Sequence, residues 1–273
     1  MGERDKRKVL LRDKVRLYFD RGAASRNEFK DPFTSFTYQE KRKDIIKLLP
    51  NNAKDILDVG CGTGTFEGIL LLYKNKSDMN ITGIDGSPKC IEVAKSKQIP
   101  NAVFLCGDAE SLPFRDNSFD CCLLIEVIEH ISDKEGTVKE LKRVLRTDGT
   151  LIITTPNKED VVLRLHNLLM TLTMKITRQR IIHKDEYLST KELLALVGGA
   201  GLNVTKLMTR YLIPLSLAVP VVGGTWGIIP PLTPSLNLKL LNFLLKLEEK
   251  HKLPSLIRRY LCWTIFLCAV KED

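Results

Sequence analysis

The chain has 273 residues, 44% hydrophobic and 27% charged, a composition that excludes a mostly disordered or collagen-like protein. Lys and Arg outnumber Asp and Glu by 42 to 33, a formal net charge of +9. Residues 1–50 carry 14 basic and 8 acidic side chains, residues 51–157 carry 12 and 16, and residues 158–273 carry 16 and 9, so an acidic centre suited to a cationic ligand lies between basic ends suited to an anionic surface or partner.

The N-terminus, Met1 to Lys8, has no apolar run of the kind a signal peptide needs, and Lys6 stands where a myristoylation motif wants Ser or Thr. The seven cysteines are odd in number and form no C-x-x-C pair, which argues against a disulfide framework or a zinc ribbon. The expectation is a reduced, cytoplasmic protein.

From about residue 54 strand and helix signals alternate. Asp55 to Val59 is a short apolar run stopped by Gly60, and Phe66 to Tyr73 has the length and composition of a helix. Asn80 to Ile84 is a second strand, followed by a helix opened by Ser87-Pro88, a capping residue with proline at the first helical position. Ala102 to Leu105 is a third strand, and Phe119 to Ile125 a fourth whose lack of polar alternation predicts cover on both faces. Lys134 to Leu145 places Val138, Leu141, Val144 and Leu145 on one helical side, and Asp148-Gly149 turns the chain into a fifth strand over Thr150 to Thr154. Ser189 caps a helix ending at Gly198-Gly199, Leu202 to Leu212 reads as a strand, and Leu261 to Val270 as the last one. Strands alternating with helices at this spacing predict a doubly wound α/β sheet.

Two stretches break the rhythm. Residues 161–180 place apolar residues on one helical face with arginines and lysines nearby, the pattern of an interfacial helix. Residues 211–238 carry no charge, long enough to cross a bilayer, but Pro214, Pro220, Pro230, Pro231 and Pro234 would break a single spanning helix. Both stretches suit a membrane surface; both equally suit packing on the protein's own sheet, as a lid or a contact between copies.

The strongest chemical signal is Asp58-Val59-Gly60-Cys61-Gly62-Thr63-Gly64, between the first strand and its helix. Glycines there allow a positive φ and a close approach of backbone to ligand, at the strand ends where open α/β sheets bind nucleotides. Asp85, ending the second strand, is placed to hold two ribose hydroxyls. A nicotinamide dinucleotide fits less well, because Thr65 stands where G-x-G-x-x-G wants its third glycine, and Asp58 beside the loop suits a cation better than a pyrophosphate. Taken singly, Gly60 could be a tight turn, Asp85 a helix cap and Asp108 a turn residue making an Asx bond. Three acidic residues at the ends of successive strands, each beside a glycine, point instead to one site.

With these residues the chain resembles the class I S-adenosylmethionine-dependent methyltransferases. The resemblance rests on Asp58 to Gly64 as the cofactor loop, on Ile84-Asp85-Gly86-Ser87 as the ribose turn, and on Cys106-Gly107-Asp108-Ala109-Glu110 as the adenine turn. It implies a Rossmann-like sheet, mostly parallel with its last strand antiparallel, and a first unit over residues 1–50 covering the cofactor site. The S-adenosylmethionine-binding core would be 51–157, and residues 158–273 would complete the same domain with acceptor-side insertions at 158–182 and 211–257. It also implies cofactor contacts from Asp58, Gly60, Cys61, Gly62, Gly64, Asp85, Gly86, Asp108, Ala109 and Glu126. Asp58 would lie near the amino-acid moiety, Asp85 on the ribose, and Asp108 with the Ala109 backbone on the adenine.

After the fourth strand comes Glu126-Val127-Ile128-Glu129-His130. On a helical turn Glu126, Glu129 and His130 would share one face, a set able to bind a divalent ion or, as one carboxylate and an imidazole, to supply a general base. This E-x-x-E-H pattern resembles the ubiquinone-pathway O-methyltransferases and the small-RNA 2′-O-methyltransferases, where it implies a metal-assisted acceptor. Glu126, Glu129, His130 and His183 are then candidate ligands of Mg or Zn, with His130 and Glu129 as candidate catalytic residues. In the plainer reading the motif only lines the pocket or fixes the turn, and His183 is a loop histidine at a helix entrance.

These readings converge on methyl transfer to an oxygen of a small or lipid-like acceptor, with the protein cytoplasmic or peripheral on a membrane. An RNA acceptor is the weaker reading, since aromatic residues total only 7% and no basic patch is studded with them. A non-catalytic S-adenosylmethionine-binding scaffold is a third reading, opposed by the presence together of Asp58, Asp85, Asp108 and His130.

Overall fold

The computed structural model describes residues 32–74, 79–161, 185–212 and 255–273, with scattered positions in 16–20, 163–168, 219–227 and 243–247. A helix α1 (Pro32–Leu48) leads into β1 (Asp55–Val59), α2 (Thr65–Lys74), β2 (Asn80–Asp85), α3 (Pro88–Ser96), β3 (Ala102–Cys106) and β4 (Phe119–Ile125). A 3₁₀ turn over Ile128–His130 precedes α4 (Lys134–Val144), β5 (Leu145–Pro156), α5 (Thr190–Gly199) and β6 (Asn203–Leu212). A separate small hairpin pairs β7 (Val219–Val221) with β8 (Thr225–Gly227), and α6 (Ser255–Leu261) runs straight into β9 (Cys262–Val270).

The main sheet has seven strands in the order β3-β2-β1-β4-β5-β9-β6. β1 to β5 pair in parallel, and β9 is antiparallel to both β5 and β6. This is a doubly wound, Rossmann-like α/β sheet, and its order reverses between β1 and β4, where such sheets bind ligands at the strand carboxyl ends. The unbroken apolar runs follow from cover on both faces. Leu57, Cys122, Leu124, Leu151 and Ile153 face a core shared with α4 and α5, whereas Ile56, Cys121, Leu123 and Ile152 face one shared with α1 and α2. Alternate residues thus serve opposite layers, and neither layer has room for a polar face.

The caps that the sequence announces are made. The Ser87 hydroxyl accepts from Cys90 N at 3.1 Å to start α3, and at α5 Ser189 and Glu192 form a reciprocal capping box. All seven cysteines are free thiols. The fifth strand differs from expectation. It begins at Leu145, which pairs with Phe119, and the ladder then jumps to Cys121 opposite Thr150. Residues between them leave the ladder, Asp148 turns left-handed (φ 62), and Arg146 reaches Asp55 at 2.9 Å and Asp120 at 2.5 Å. The apparent turn at Asp148-Gly149 is therefore a bulge inside one strand.

Helix α1 carries a weak apolar stripe, and its buried face holds charge: Lys41, Arg42 and Asp44 are buried beside Ile45 and Ile46. Asp44 is satisfied from β6, accepting from the Tyr211 hydroxyl at 2.7 Å and facing Arg210 at 3.3 Å. Among the described residues no helix is long and apolar enough to cross a membrane. Most of 161–180 and of 211–238 lies outside the described residues, as do His166, His183 and His251.

Candidate active site

The glycine loop is held to the end of β2 by its backbone. Gly60 N and Cys61 N both donate to Ile84 O, at 2.7 and 3.2 Å, and Gly62 N donates to Asp85 Oδ2 at 2.9 Å. Ser87 N donates to the other oxygen, Oδ1, at 2.8 Å. Asp85 thus bridges the loop and the turn that follows it. Gly60 and Gly62 both have positive φ but differ in what surrounds them. A Cβ on Gly60 would lie 2.2 Å from Val127 Cγ2, whereas one on Gly62 would meet nothing within 4 Å. Gly60 is small so that the turn after β4 can pack on the loop. Gly62 borders open space, a cradle that a cofactor can fill.

Beneath the loop, Asp58 is 3% exposed and Glu67 is fully buried. Burial pushes the Asp58 carboxyl well above the usual range, and the neighbouring Glu67 and Asp85 push the same way. Asp58 Oδ1 is buried with no hydrogen-bond partner. Such an acceptor fits a cationic donor such as the cofactor's ammonium group. Asp108 makes the Asx bond that its plainer reading foresaw, with Oδ1 accepting from Glu110 N at 2.9 Å in the turn after β3. Asp20, ahead of α1, accepts from the Ser87 hydroxyl at 2.6 Å and so touches the ribose turn.

The turn after β4 is not the regular helical turn that would align Glu126, Glu129 and His130. Glu126 is left-handed (φ 55), a strained conformation for a residue with a Cβ, and only Ile128–His130 form a 3₁₀ turn. Each side chain has its own partner. Glu126 Oε2 lies 3.0 Å from Lys41 Nζ, while its Oε1 is buried without a partner. Glu129 is buried and its Oε2 accepts from the Thr155 hydroxyl at 3.1 Å; burial, reinforced by Glu126, raises its pKa to about 8. His130 Nδ1 lies 2.9 Å from Asp185 Oδ1, and the Tyr187 hydroxyl donates to Asp185 Oδ2 at 3.0 Å. Burial works to lower the imidazole pKa, but Asp185 and the nearby glutamates outweigh it and raise it above 6.5.

Among the described residues no three His, Cys, Asp or Glu side chains converge as a metal site. The expected ligand set is accordingly revised: Glu126, Glu129 and His130 point to Lys41, Thr155 and Asp185, and His183 lies outside the described residues. The segment around His183 does contribute to the site, through Asp185 and Tyr187. Asn157, at the end of β5, is structural, its amide donating to Arg259 O and Cys262 O at 2.8 and 2.9 Å. Lys41, Glu67, Asp185 and Tyr187 are the site residues that sequence reasoning missed. Only two left a trace: Glu67, a lone charge in the otherwise apolar Thr65-to-Tyr73 helix, and Asp185, two residues from a histidine already singled out.

Residues 57–153 match the family model of a methyltransferase domain, which spans β1 to β5 and contains the glycine loop, the ribose turn and the turn after β4. The chain carries a class I S-adenosylmethionine-dependent methyltransferase domain. Its cofactor is S-adenosylmethionine, which the Gly62 cradle, the Asp85 bridge and the buried Asp58 acceptor fit. A demethylmenaquinone methyltransferase of Thermotoga maritima is 35% identical over 137 residues, covering 50% of this chain and 58% of that protein. An ajmaline N-methyltransferase of Rauvolfia serpentina is 36% identical over 105 residues, covering 37% of this chain and 35% of that protein. The chain thus matches between a third and three-fifths of the length of these relatives. The chain also has the fold of a chain in the complex of the Haloferax volcanii Trm112 methyltransferase activator with a candidate methyltransferase. The TM-score there is 0.62 at 20% identity, covering 96% of this chain and 98% of that one.

Proposed function

We propose that the protein is an S-adenosylmethionine-dependent methyltransferase that methylates an oxygen of a small or lipid-like acceptor, with His130 as the general base. The observation that carries this reading is the contact between His130, in the turn after β4, and Asp185. Thiolates and free amines attack a methyl group without help, but a hydroxyl must lose its proton as it attacks, and a carboxylate-held imidazole is suited to take it. Bound S-adenosylmethionine supplies an electrophilic sulfonium methyl group. The protein's own contribution is mostly geometric: Gly62 and Asp85 seat the donor, and Val127, packed on Gly60, sets the turn bearing His130 against it. Holding two reactants in line contributes up to about 7–11 kcal/mol of barrier reduction, and a positioned base adds roughly 10²–10⁴-fold in rate.

The acceptor is read as apolar. That reading comes from sequence: the basic 161–180 stretch and the charge-free 211–238 stretch have the composition that suits a membrane surface or an apolar acceptor. A relative named for demethylmenaquinone supports an acceptor of that character, and the ajmaline N-methyltransferase shows that acceptor atoms vary among the relatives.

The test incubates the purified protein with methyl-labelled S-adenosylmethionine and a total cell extract, followed by an organic–aqueous partition. Label in the organic phase, lost in His130→Ala, supports the proposal. Label confined to the aqueous phase overturns the lipid-like acceptor, and full transfer by His130→Ala overturns the base.

A further inference from the structure

The turn after β4 carries two glutamates, Glu126 and Glu129, and the protein brings a cation of its own to the first of them. Lys41 is 9% exposed, and its Nζ lies 3.0 Å from Glu126 Oε2. Helix α1 delivers it there from a fixed base. One turn further along, Asp44 accepts from the Tyr211 hydroxyl at 2.7 Å and faces Arg210 at 3.3 Å, which ties the helix to β6. The Tyr38 ring, its centroid 5.8 Å from Nζ, adds a second hold on the ammonium. The receiving carboxylate is equally constrained. Glu126 N donates to Thr154 O at 2.9 Å, its backbone is left-handed (φ 55), and Val127 beside it packs on Gly60. A buried ion pair stabilises a fold no better than a well-packed apolar pair of the same volume. What this pair adds is position.

We propose that Lys41 is a positioning residue for methyl transfer, its ammonium supplying at Glu126 the positive charge that an E-x-x-E-H turn can otherwise take from a divalent ion. The other two members of the pattern are engaged within the protein in the same way. Glu129 Oε2 accepts from the Thr155 hydroxyl at 3.1 Å, and His130 Nδ1 faces Asp185 Oδ1 at 2.9 Å. A divalent ion at Glu126 would share its carboxylate with an ammonium already held in place, and like charges repel strongly where water is scarce. Lys41 acts on the reacting groups through Glu126 and the short backbone segment that leads from it to His130. The proposal rests on the reading of this turn as the acceptor side of a methyltransferase and deepens it, by making the geometry of the turn independent of metal.

Titration with Mn²⁺, followed by electron paramagnetic resonance and by thermal melting, tests this without an acceptor. The wild type, and Lys41→Arg, which keeps the charge, are expected to show no Mn²⁺ site tighter than about 1 mM and the same Tm with Mn²⁺ as with a chelator. Lys41→Met is expected to bind Mn²⁺ at least about tenfold more tightly than the wild type, and to regain with Mn²⁺ part of the Tm it loses. Adding Glu126→Gln to Lys41→Met is expected to remove both responses. A micromolar Mn²⁺ site in the wild type that Glu126→Gln abolishes overturns the proposal, and this measurement stands even if Lys41→Met folds poorly. A Lys41→Met variant with the wild type's Mn²⁺ affinity overturns it as well. S-adenosylhomocysteine binding by the wild type, measured alongside, reports on the cofactor assignment separately: its absence overturns the methyltransferase reading, whereas its presence with either Mn²⁺ result overturns the role of Lys41 alone.

Discussion

His130 Nδ1 lies 2.9 Å from Oδ1 of Asp185, joining the turn after β4 to the segment before α5. In the proposed mechanism the proton stays on Nδ1, facing Asp185, and Nε2 is the nitrogen that accepts. The Tyr187 hydroxyl on Oδ2 holds the carboxylate in place. Asp185→Asn keeps a hydrogen-bonding group but removes the charge that raises the imidazole pKa. In the wild type, transfer is expected to rise with pH on a limb whose midpoint lies above 6.5, because the base acts only when neutral. In Asp185→Asn the midpoint is expected to shift down and the plateau rate to fall by about 10-fold or more. A pH profile of kcat/KM checks both, and an unmoved midpoint would show that Asp185 does not tune the base.

Gly60 and Val127 make a second, separable prediction. Gly60→Ala is expected to be destabilising twice over, from a Cβ 2.2 Å from Val127 Cγ2 and from a φ of +79. Adding Val127→Ala removes the collision but not the backbone strain, and should recover part of the loss. Gly62→Ala carries strain alone, about 1 kcal/mol, yet it fills the open cradle and should weaken cofactor binding more than it lowers Tm. Thermal melts with and without S-adenosylhomocysteine measure both effects.

The parts of the molecule legible in the sequence are those governed by local chemistry. β1 to β4 announce themselves because both faces of each inner strand are covered, and α3 and α5 because Ser87 and Ser189 make the caps their positions suggest. Helix α1 does not, because its buried face is partly charged and is satisfied by Tyr211 and Arg210, far along the chain. Glu126 looked like one of three residues on a helix face. Its left-handed backbone, set by tertiary packing, leaves no mark in residue order. The partnership of His130 with Asp185 was missed for a related reason, since spacing rules reach only a few residues and this contact closes a long loop.

Lys41 and Glu126 tie α1 to the turn after β4 at 3.0 Å, with both side chains mostly covered. Lys41→Met keeps the length of the side chain and removes the charge, leaving Glu126 without its partner beside the buried Glu129. The expected result is a loss on the order of 1–3 kcal/mol, larger than for an exposed pair. Glu126→Gly should cost less than Glu126→Ala, because glycine tolerates φ 55 without strain. Denaturant titrations of the three variants rank these effects, and a Glu126→Ala variant more stable than Glu126→Gly would contradict the strain.

Glu129 gives the protein a pH dependence whose sign can be worked out. Its folded-state pKa of about 8 stands above the ordinary 4.5, so the folded protein holds a proton that the unfolded chain releases. The stability this confers is complete below about pH 4.5, declines as the pH rises and is lost above about 8. The raised imidazole of His130 adds to the same trend. Glu129→Gln cannot ionise and keeps an acceptor for the Thr155 hydroxyl, so its decline should be shallower. The variant and the wild type are expected to melt alike near pH 5, with the variant higher by several degrees at pH 9. Melting curves across that range decide it: parallel curves would mean that Glu129 is already ionised in the folded protein, held by a partner outside the residues described.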